Sequence, residues 1–165
     1  LLSSPMRDRF GLITRLSFYE PKDLEYIILR AAQKLHIAID AHAKHHLAIR
    51  SRGTPRIALR LLKRVRDVAQ VEGKGIIDEP ILTKALDMLR IDPMGLDSSD
   101  KRYLDAIINK FEGGPVGIET IAAALSEDIG TIEEVVEPYL LQIGFIKRSA
   151  RGRVVTDKAK SHLAI

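Results

Sequence analysis

The chain has 165 residues, a length that allows one large domain or two small ones. Its composition, 45% hydrophobic and 29% charged, is that of a globular protein able to build a core. The absence of cysteine excludes disulfides and thiolate metal sites, and no apolar run is long enough to span a bilayer. Because the chain begins without Met or a signal-like segment, we expect it to be part of a longer cytosolic protein.

The formal net charge is +4, and it is unevenly distributed along the chain. Residues 1–90 carry 17 Lys and Arg against 10 Asp and Glu, whereas residues 91–165 carry 9 against 12. Within the acidic half, four cations stand together without an acid among them: Lys147, Arg148, Arg151 and Arg153. A basic cluster on an acidic body indicates a localised contact with an anion.

The first half of the sequence predicts a small helical bundle. Residues 1–19 read as irregular or extended, and they end in a short strand. Four helices follow, and each starts at a capping residue or a proline: Pro21 to about Leu35, Asp40 to about Arg50, Thr54–Pro55 to the GKG at 73–75, and Asp78 to about Leu89. Four short helices with short links are typical of a compact bundle.

The second half predicts a winged helix. The Pro- and Gly-containing stretch 91–97 is the expected domain boundary. Helices are then predicted over about 98–111 and 118–125, and from a Thr131/Glu134 capping box to about Gln142. Two β-like runs, FIKR and RVVT, follow, and Thr156 caps a last helix. The predicted fold class is therefore mainly α, a helical bundle followed by a winged-helix DNA-binding domain.

Two arginine-bearing turns suggest phosphate recognition. The run SPMRDRFG places Arg7 and Arg9 on a turn after a proline, where an arginine finger could reach a neighbouring subunit's nucleotide; the plainer interpretation is a surface salt bridge. The run RGTPRIA places Arg56 in the first turn of a helix, where an anion is favoured. The plainer interpretation of Arg56 is a solvated face, because neighbouring cations form a broad basic surface: Arg52, Arg60, Lys63, Arg64 and Arg66.

Aromatic and histidine residues give weaker signals. Tyr19 could pack on an adenine ring, although core packing is the plainer interpretation. His42, His45 and His46 have metal-capable spacing, but we interpret them as a solvated helix face and expect no metal site.

The predicted hairpin FIKRSARGRVV points to DNA. Its turn projects Arg148, Arg151 and Arg153, which would meet a duplex backbone or minor groove, the alternative being a solvated hairpin. The preceding helix, where sequence-reading winged helices enter the major groove, instead carries Glu133, Glu134 and Glu137 and no Lys or Arg. We therefore expect the wing to grip phosphates without base specificity.

Several of these segments together resemble the RuvB family of bacterial Holliday-junction branch-migration motors, which are AAA+ ATPases. The segments are SPMRDRFG, FYEPKDL, RSRGTPRIALRLLKRVRD, ALDML, GGPVG, EPYLLQIGFIKR and RGRVVT, and they cover essentially the whole chain. The resemblance implies three parts: residues 1–19 as the tail of the large ATPase domain, 20–90 as the small helical lid, and 93–165 as the winged-helix head. The family wing commonly reads RTPRGR, and here Ala150 replaces the proline.

The resemblance also implies roles for individual residues. Arg9 corresponds to the finger that acts in trans on ATP, Tyr19 to an adenine-side contact, and Arg56 to the arginine that senses ATP. Arg148 and Arg153 correspond to the DNA contacts of the head.

Cofactors and partners follow from the same resemblance. ATP or ADP with Mg²⁺ is implied, but the sequence contains no Walker A or Walker B segment, so we expect this chain alone to be inactive as an ATP hydrolase. The implied partners are duplex DNA, Holliday junctions, RuvA, RuvC and a homo-hexameric ring in a bacterial, nucleoid-associated cytoplasmic setting, with no membrane.

Two alternatives stay open from the sequence. A winged-helix transcription regulator with a helical dimerisation domain would bind a specific DNA sequence. An AAA+ assembly module of the clamp-loader type would not need its wing to bind DNA.

Overall fold

Helices form most of the computed structural model, which describes Arg9, residues 17–72 and residues 75–163. No helix in these ranges is both long and apolar enough to cross a membrane. Residues 17–20 have no regular structure, and the rest of the strand expected near them lies outside the described residues.

The first half contains four helices and a minimal parallel ladder. In chain order these elements are α1 Pro21–Lys34, β1 Ala38–Ile39, α2 Ala41–Ile49, α3 Pro55–Val71, β2 Ile76–Ile77 and α4 Glu79–Met88. The four helices confirm the predicted bundle. The ladder was not predicted, because two residues are too short for a periodic pattern; it pairs Ala38 with Ile76 and Ile39 with Ile77.

Local side-chain hydrogen bonds explain where these helices begin. Asp40 accepts from the backbone N–H of Ala43, and Asp78 accepts from that of Ile81, as the capping signals predict. Thr54 differs from its prediction, because its hydroxyl donates to the carbonyl of Arg52 at 3.2 Å and does not cap α3. The first turn of α3 therefore has no side-chain cap.

The second half has the winged-helix order of helices followed by a hairpin. Its elements are α5 Ser98–Asp105 with a π-helical continuation Ala106–Lys110, α6 Ile118–Leu125, α7 over 129–142, β3 Ile146–Ser149, β4 Gly152–Val155 and α8 Asp157–Leu163. Helix α7 is π-helical over Ile132–Val136. The antiparallel hairpin pairs Arg148 with Arg153, and Val116 bridges Arg153 from the outer side.

The start of α7 corrects one prediction. The helix begins two residues before Thr131, since the Asp128 carboxylate accepts from the N–H of Thr131 at 2.9 Å. Thr131 is thus a helical residue, and the Thr131/Glu134 capping box is wrong. Asp97 caps α5 through a capping box with Asp100, a pairing that the sequence analysis did not recognise.

Each half of the chain has its own hydrophobic core. One core lies among α1 to α4, around Ile28, Leu62 and Leu82. The other lies among α5 to α8 and the hairpin, around Leu104 and Phe145. Each fully buried large apolar side chain contributes about 1.5–3 kcal/mol to the stability of the half in which it lies. We call residues 20–90 the lid and the described residues 93–163 the head, the names that the resemblance implies.

Candidate nucleotide edge and nucleic-acid interface

Two of the predicted nucleotide-contacting residues lie near one end of the lid. The backbone N–H of Tyr19 donates a 2.8 Å hydrogen bond to the carbonyl of Gly53, which holds the entering chain against the loop before α3. The side chain of Tyr19 is about half exposed and thus is not a core residue. Arg56 lies in the first turn of α3, three residues after Gly53. This end of the lid therefore offers an exposed aromatic ring and a guanidinium.

Arg56 is free to meet an external anion. Its side chain is exposed and, among the residues that the structure describes, it makes no side-chain hydrogen bond or salt bridge. Because α3 has no side-chain cap and no acid in its first turn, its N-terminal N–H groups add favourable potential for negative charge.

Arg9 is an exposed turn residue in the structure. Arg7 and the remaining residues of the SPMRDRFG run lie outside the described residues, so the role of Arg9 as a finger in trans stays a prediction.

The wing is the β3–β4 hairpin with its turn, residues 146–155. Arg151 lies in the turn and is exposed. Arg148 is 47% exposed in its side chain, whereas Arg153 is 13% exposed. Of the three predicted DNA-contacting arginines, Arg151 is therefore exposed, Arg148 is about half exposed and Arg153 is mostly buried.

Glu137, at the centre of α7, binds both arginines of the paired strands, Arg148 and Arg153. Its carboxylate is fully buried and accepts from Arg153 Nε at 2.8 Å and from Arg148 Nε at 2.9 Å. The hydroxyl of Tyr103 donates to the same carboxylate at 2.7 Å, and Arg153 also pairs with Glu133 at 3.0 Å. The sequence-based picture of Glu137 as an exposed, DNA-repelling carboxylate is therefore wrong, because Glu137 is the buried anchor of the wing.

Electrostatics within this network favour the ionised carboxylate. Burial alone would raise the pKa of Glu137, but hydrogen bonds from Arg153, Tyr103 and Arg148 outweigh it and hold this pKa below its usual value. Burial, together with the hydrogen bond to Glu137, raises the pKa of the Tyr103 hydroxyl, which stays a donor. The hydrogen bond to Glu137 raises the pKa of Arg153 in turn.

The exposed face of α7 remains unsuited to reading bases. Glu133, Glu134 and Val135 are exposed there, and the helix has no Lys or Arg. Major-groove readout relies on donors such as Arg, Lys, Asn or Gln directed at base edges. The geometry therefore offers phosphate contacts from the wing and little for base-specific contacts from α7.

Arg52 corrects the interpretation of the basic surface. The sequence analysis grouped it with the solvated cations of α3, yet its side chain is only 10% exposed and pairs with Asp100 of α5. Asp100 is itself buried. Neither this pair nor the Tyr103–Glu137 contact has a local sequence signature, since the partners are 34 or more residues apart. The one hint in the sequence is the spacing of Asp97 and Asp100, which fits a capping box.

Two of the three histidines of α2 lie close to Glu79 of α4. Donor atoms of His42, His46 and Glu79 lie within 4.8 Å of one another. The guanidinium of Arg50 is 3.2 Å from Nδ1 of His46, and its positive charge opposes a cation at this position.

A helical bundle with an exposed arginine at a helix start, followed by a winged helix with a basic hairpin, fits the lid and winged-helix parts of an AAA+ protein. Residues 19–92 match the family described as the RuvB AAA lid domain, and residues 93–164 match the RuvB C-terminal winged helix domain. The chain belongs to the RuvB family.

Individual relatives agree with this assignment. The chain is 56% identical over 162 residues to "Holliday junction branch migration complex subunit RuvB 2" of Synechococcus sp. (strain JA-3-3Ab), covering 98% of the chain and 44% of that protein. It superimposes with a TM-score of 0.95, at 50% identity, on the structure titled "Thermotoga maritima RuvB Holliday junction branch migration motor", covering 99% of the chain and 55% of that structure. The chain thus spans about half the length of the RuvB relatives it matches.

Proposed function

We propose that this chain is the nucleotide-sensing lid and DNA-gripping head of an ATP-driven motor that moves Holliday junctions during recombination and repair. The observation that carries the proposal is the wing. Glu137 holds Arg148 and Arg153, and about half of the Arg148 side chain stays exposed beside the exposed Arg151. Helix α7 offers no basic side chain for base readout. A motor that slides along DNA needs a grip of this kind, which does not depend on sequence.

The end of the lid that carries Tyr19 and Arg56, here called the nucleotide edge, would supply the coupling to ATP. In this proposal Arg56 senses the phosphates, Tyr19 contacts the adenine side, and Arg9 acts in trans on the ATP of a neighbouring subunit. The residues that bind Mg²⁺ and cleave ATP belong to Walker segments, which this sequence does not contain. ATP hydrolysis is therefore assigned to a longer protein that includes this chain.

The partners follow from the same proposal. A homo-hexameric ring would place Arg9 beside a neighbouring ATP site, RuvA would hold the junction, and RuvC would be a further partner. The proposed setting is the nucleoid-associated cytoplasm of a bacterium. A nucleotide-driven turn of the lid would move the head, and the wing would carry that motion to the DNA backbone.

Salt-dependent binding of random-sequence duplex DNA tests the grip. Fluorescence anisotropy would compare the unmodified chain with Arg148→Ala, Arg151→Ala and Arg153→Ala. Loss of Arg148 or Arg151 is expected to flatten the log–log salt slope by about one phosphate contact each. The control is Lys101→Ala, a cation of α5 that lies 3.7 Å from Asp92 at the domain boundary and away from the wing.

The outcome separates the proposal from both alternatives. A clear preference for one DNA sequence would favour a transcription regulator. Unchanged slopes in both Arg148→Ala and Arg151→Ala would remove the wing from DNA binding and favour an assembly module.

A further inference from the structure

Arg52 extends from the lid into the head. Its backbone is left-handed, with φ of 54°, and Gly53 follows with φ of 66°, so the loop turns sharply and directs the side chain out of the bundle. Arg52 Nε donates to the carbonyl of Gly95 at 2.8 Å. The other guanidinium nitrogens pair with Asp100, which is 1% exposed, and with Asp97 at 3.2 Å.

A second helix of the head contacts the same guanidinium. Arg52 lies over the ring of Tyr139 in α7, with 5.1 Å between the guanidinium carbon and the ring centroid. The Tyr139 hydroxyl donates to the carbonyl of Met94 at 2.5 Å, which fixes the ring. One lid side chain thus holds α5, α7 and the boundary segment together.

Backbone packing beside Arg52 leaves little freedom between the domains. A Cβ at Gly95 would approach the carbonyl oxygen of Arg50 to 2.7 Å, so the boundary segment lies directly on the loop before α3. The side chain of His162 in α8 reaches Asp92 at 2.9 Å from another direction. The interface is therefore polar and close-packed around Arg52.

The same loop leads to the nucleotide edge. Only Gly53, Thr54 and Pro55 separate Arg52 from Arg56, and Thr54 N–H donates to the Ser51 carbonyl at 2.9 Å. Arg52 and Arg56 are thus joined by a short loop with an internal hydrogen bond.

We propose that Arg52 is a positioning residue that fixes the head to the nucleotide-sensing end of the lid, so that the lid and the head turn as one body. The inference rests on the proposed roles of Arg56 and the wing. Because both Arg52 and Asp100 are shielded from water, solvent does not replace the interaction when either charge is lost. Burial raises the pKa of Asp100 to about 6, in spite of the opposing effect of Arg52, which agrees with a carboxylate enclosed at a closed interface.

Rotational diffusion of the 165-residue chain is the direct test. Backbone ¹⁵N relaxation would give one correlation time for lid and head in the unmodified chain. With Arg52→Gln, two shorter correlation times are expected, one for each core. The matched control is Arg60→Gln, which removes an exposed cation of α3 and should leave a single correlation time.

Asp100→Asn provides the same test from the head side. It should give separate correlation times for lid and head, as Arg52→Gln does. Dispersed amide spectra of both cores would verify that each variant folds. A single, unchanged correlation time in both variants overturns the proposal.

Coupling in the longer motor protein gives a readout that a purely structural role would not move. With Arg52→Gln, ATP hydrolysis and duplex affinity should stay near the unmodified values while the junction-moving rate falls by about 2- to 30-fold. Unchanged junction movement would contradict the role of Arg52. Failure of the unmodified motor to move junctions would instead contradict the proposed function, and the relaxation result would still decide the link.

Discussion

Tyr103 and Glu137 join the first helix of the head to its third beneath the wing, through a 2.7 Å hydrogen bond from the phenol to a fully buried carboxylate. The same carboxylate holds Arg148 and Arg153. The orientation of the wing therefore depends on a carboxylate that is fully buried beneath it. Phosphate-binding cations held in advance lose less side-chain entropy when they bind.

Replacing Glu137 should destabilise the head more than replacing Tyr103. Glu137→Gln leaves Arg153 without its buried counter-charge and is expected to cost about 3 kcal/mol. Tyr103→Phe removes one hydrogen bond and should cost about 1 kcal/mol. Urea unfolding followed by circular dichroism measures both, and equal losses would contradict the assignment of Glu137 as the anchor.

Acid should weaken the head through the same carboxylate. The pKa of Glu137 is lowered in the folded state, so its contribution is present above the pKa of an unfolded Glu and is lost as pH falls through the folded value. The urea concentration at the unfolding midpoint of the unmodified chain is expected to fall when the pH is lowered beneath about 4.5, where an unfolded Glu takes up its proton. This drop should be smaller in Glu137→Gln, and an acid response as steep as that of the unmodified chain would rule out the contribution.

Asp100 should titrate in the opposite sense. Its pKa is raised from 3.8 to about 6, so folding takes up a proton between these values and the stability from this group falls as pH rises through that window. Carboxyl ¹³C NMR should give a midpoint near 6 in the unmodified chain. A midpoint near 3.8 in the unmodified chain would contradict the burial of this carboxylate.

Gly152 is the glycine on which the wing depends most. Its φ is 128°, and a Cβ there would collide with the backbone carbonyl of Val116. Gly152→Ala is therefore expected to cost at least about 2 kcal/mol and to weaken DNA binding. Gly144→Ala is the matched control, since φ is 73° but nothing lies within 4 Å, so it should cost only about 1 kcal/mol of backbone strain. Similar losses in thermal unfolding would show that the Val116 contact is unimportant.

Short-range signals predicted the fold well. The Asp40 and Asp78 caps act over three residues, and the alternation in the wing is also local, so both could be read directly. Thr131 was misassigned because Asp128, with the same capping chemistry, begins the helix earlier. Local patterns thus predict which elements form more reliably than where each begins.

Long-range pairs limited the prediction of the site. Glu137 reads as one of three similar acids on a helix, and only the approach of Tyr103 and the wing identifies it as buried. Arg52 likewise resembles the other cations of α3 until Asp100, 48 residues further on, is placed beside it. Tertiary packing decides which member of a uniform-looking charge cluster is enclosed.

The loop over 51–54 has a fixed length for a geometric reason. Tyr19 is attached to it through Gly53, the head through Arg52, and α3 begins immediately after it. One inserted residue would lengthen the path between these attachments and break at least one of them. Insertions within these four positions should therefore be excluded by selection among homologous proteins, even where amino-acid replacements are tolerated.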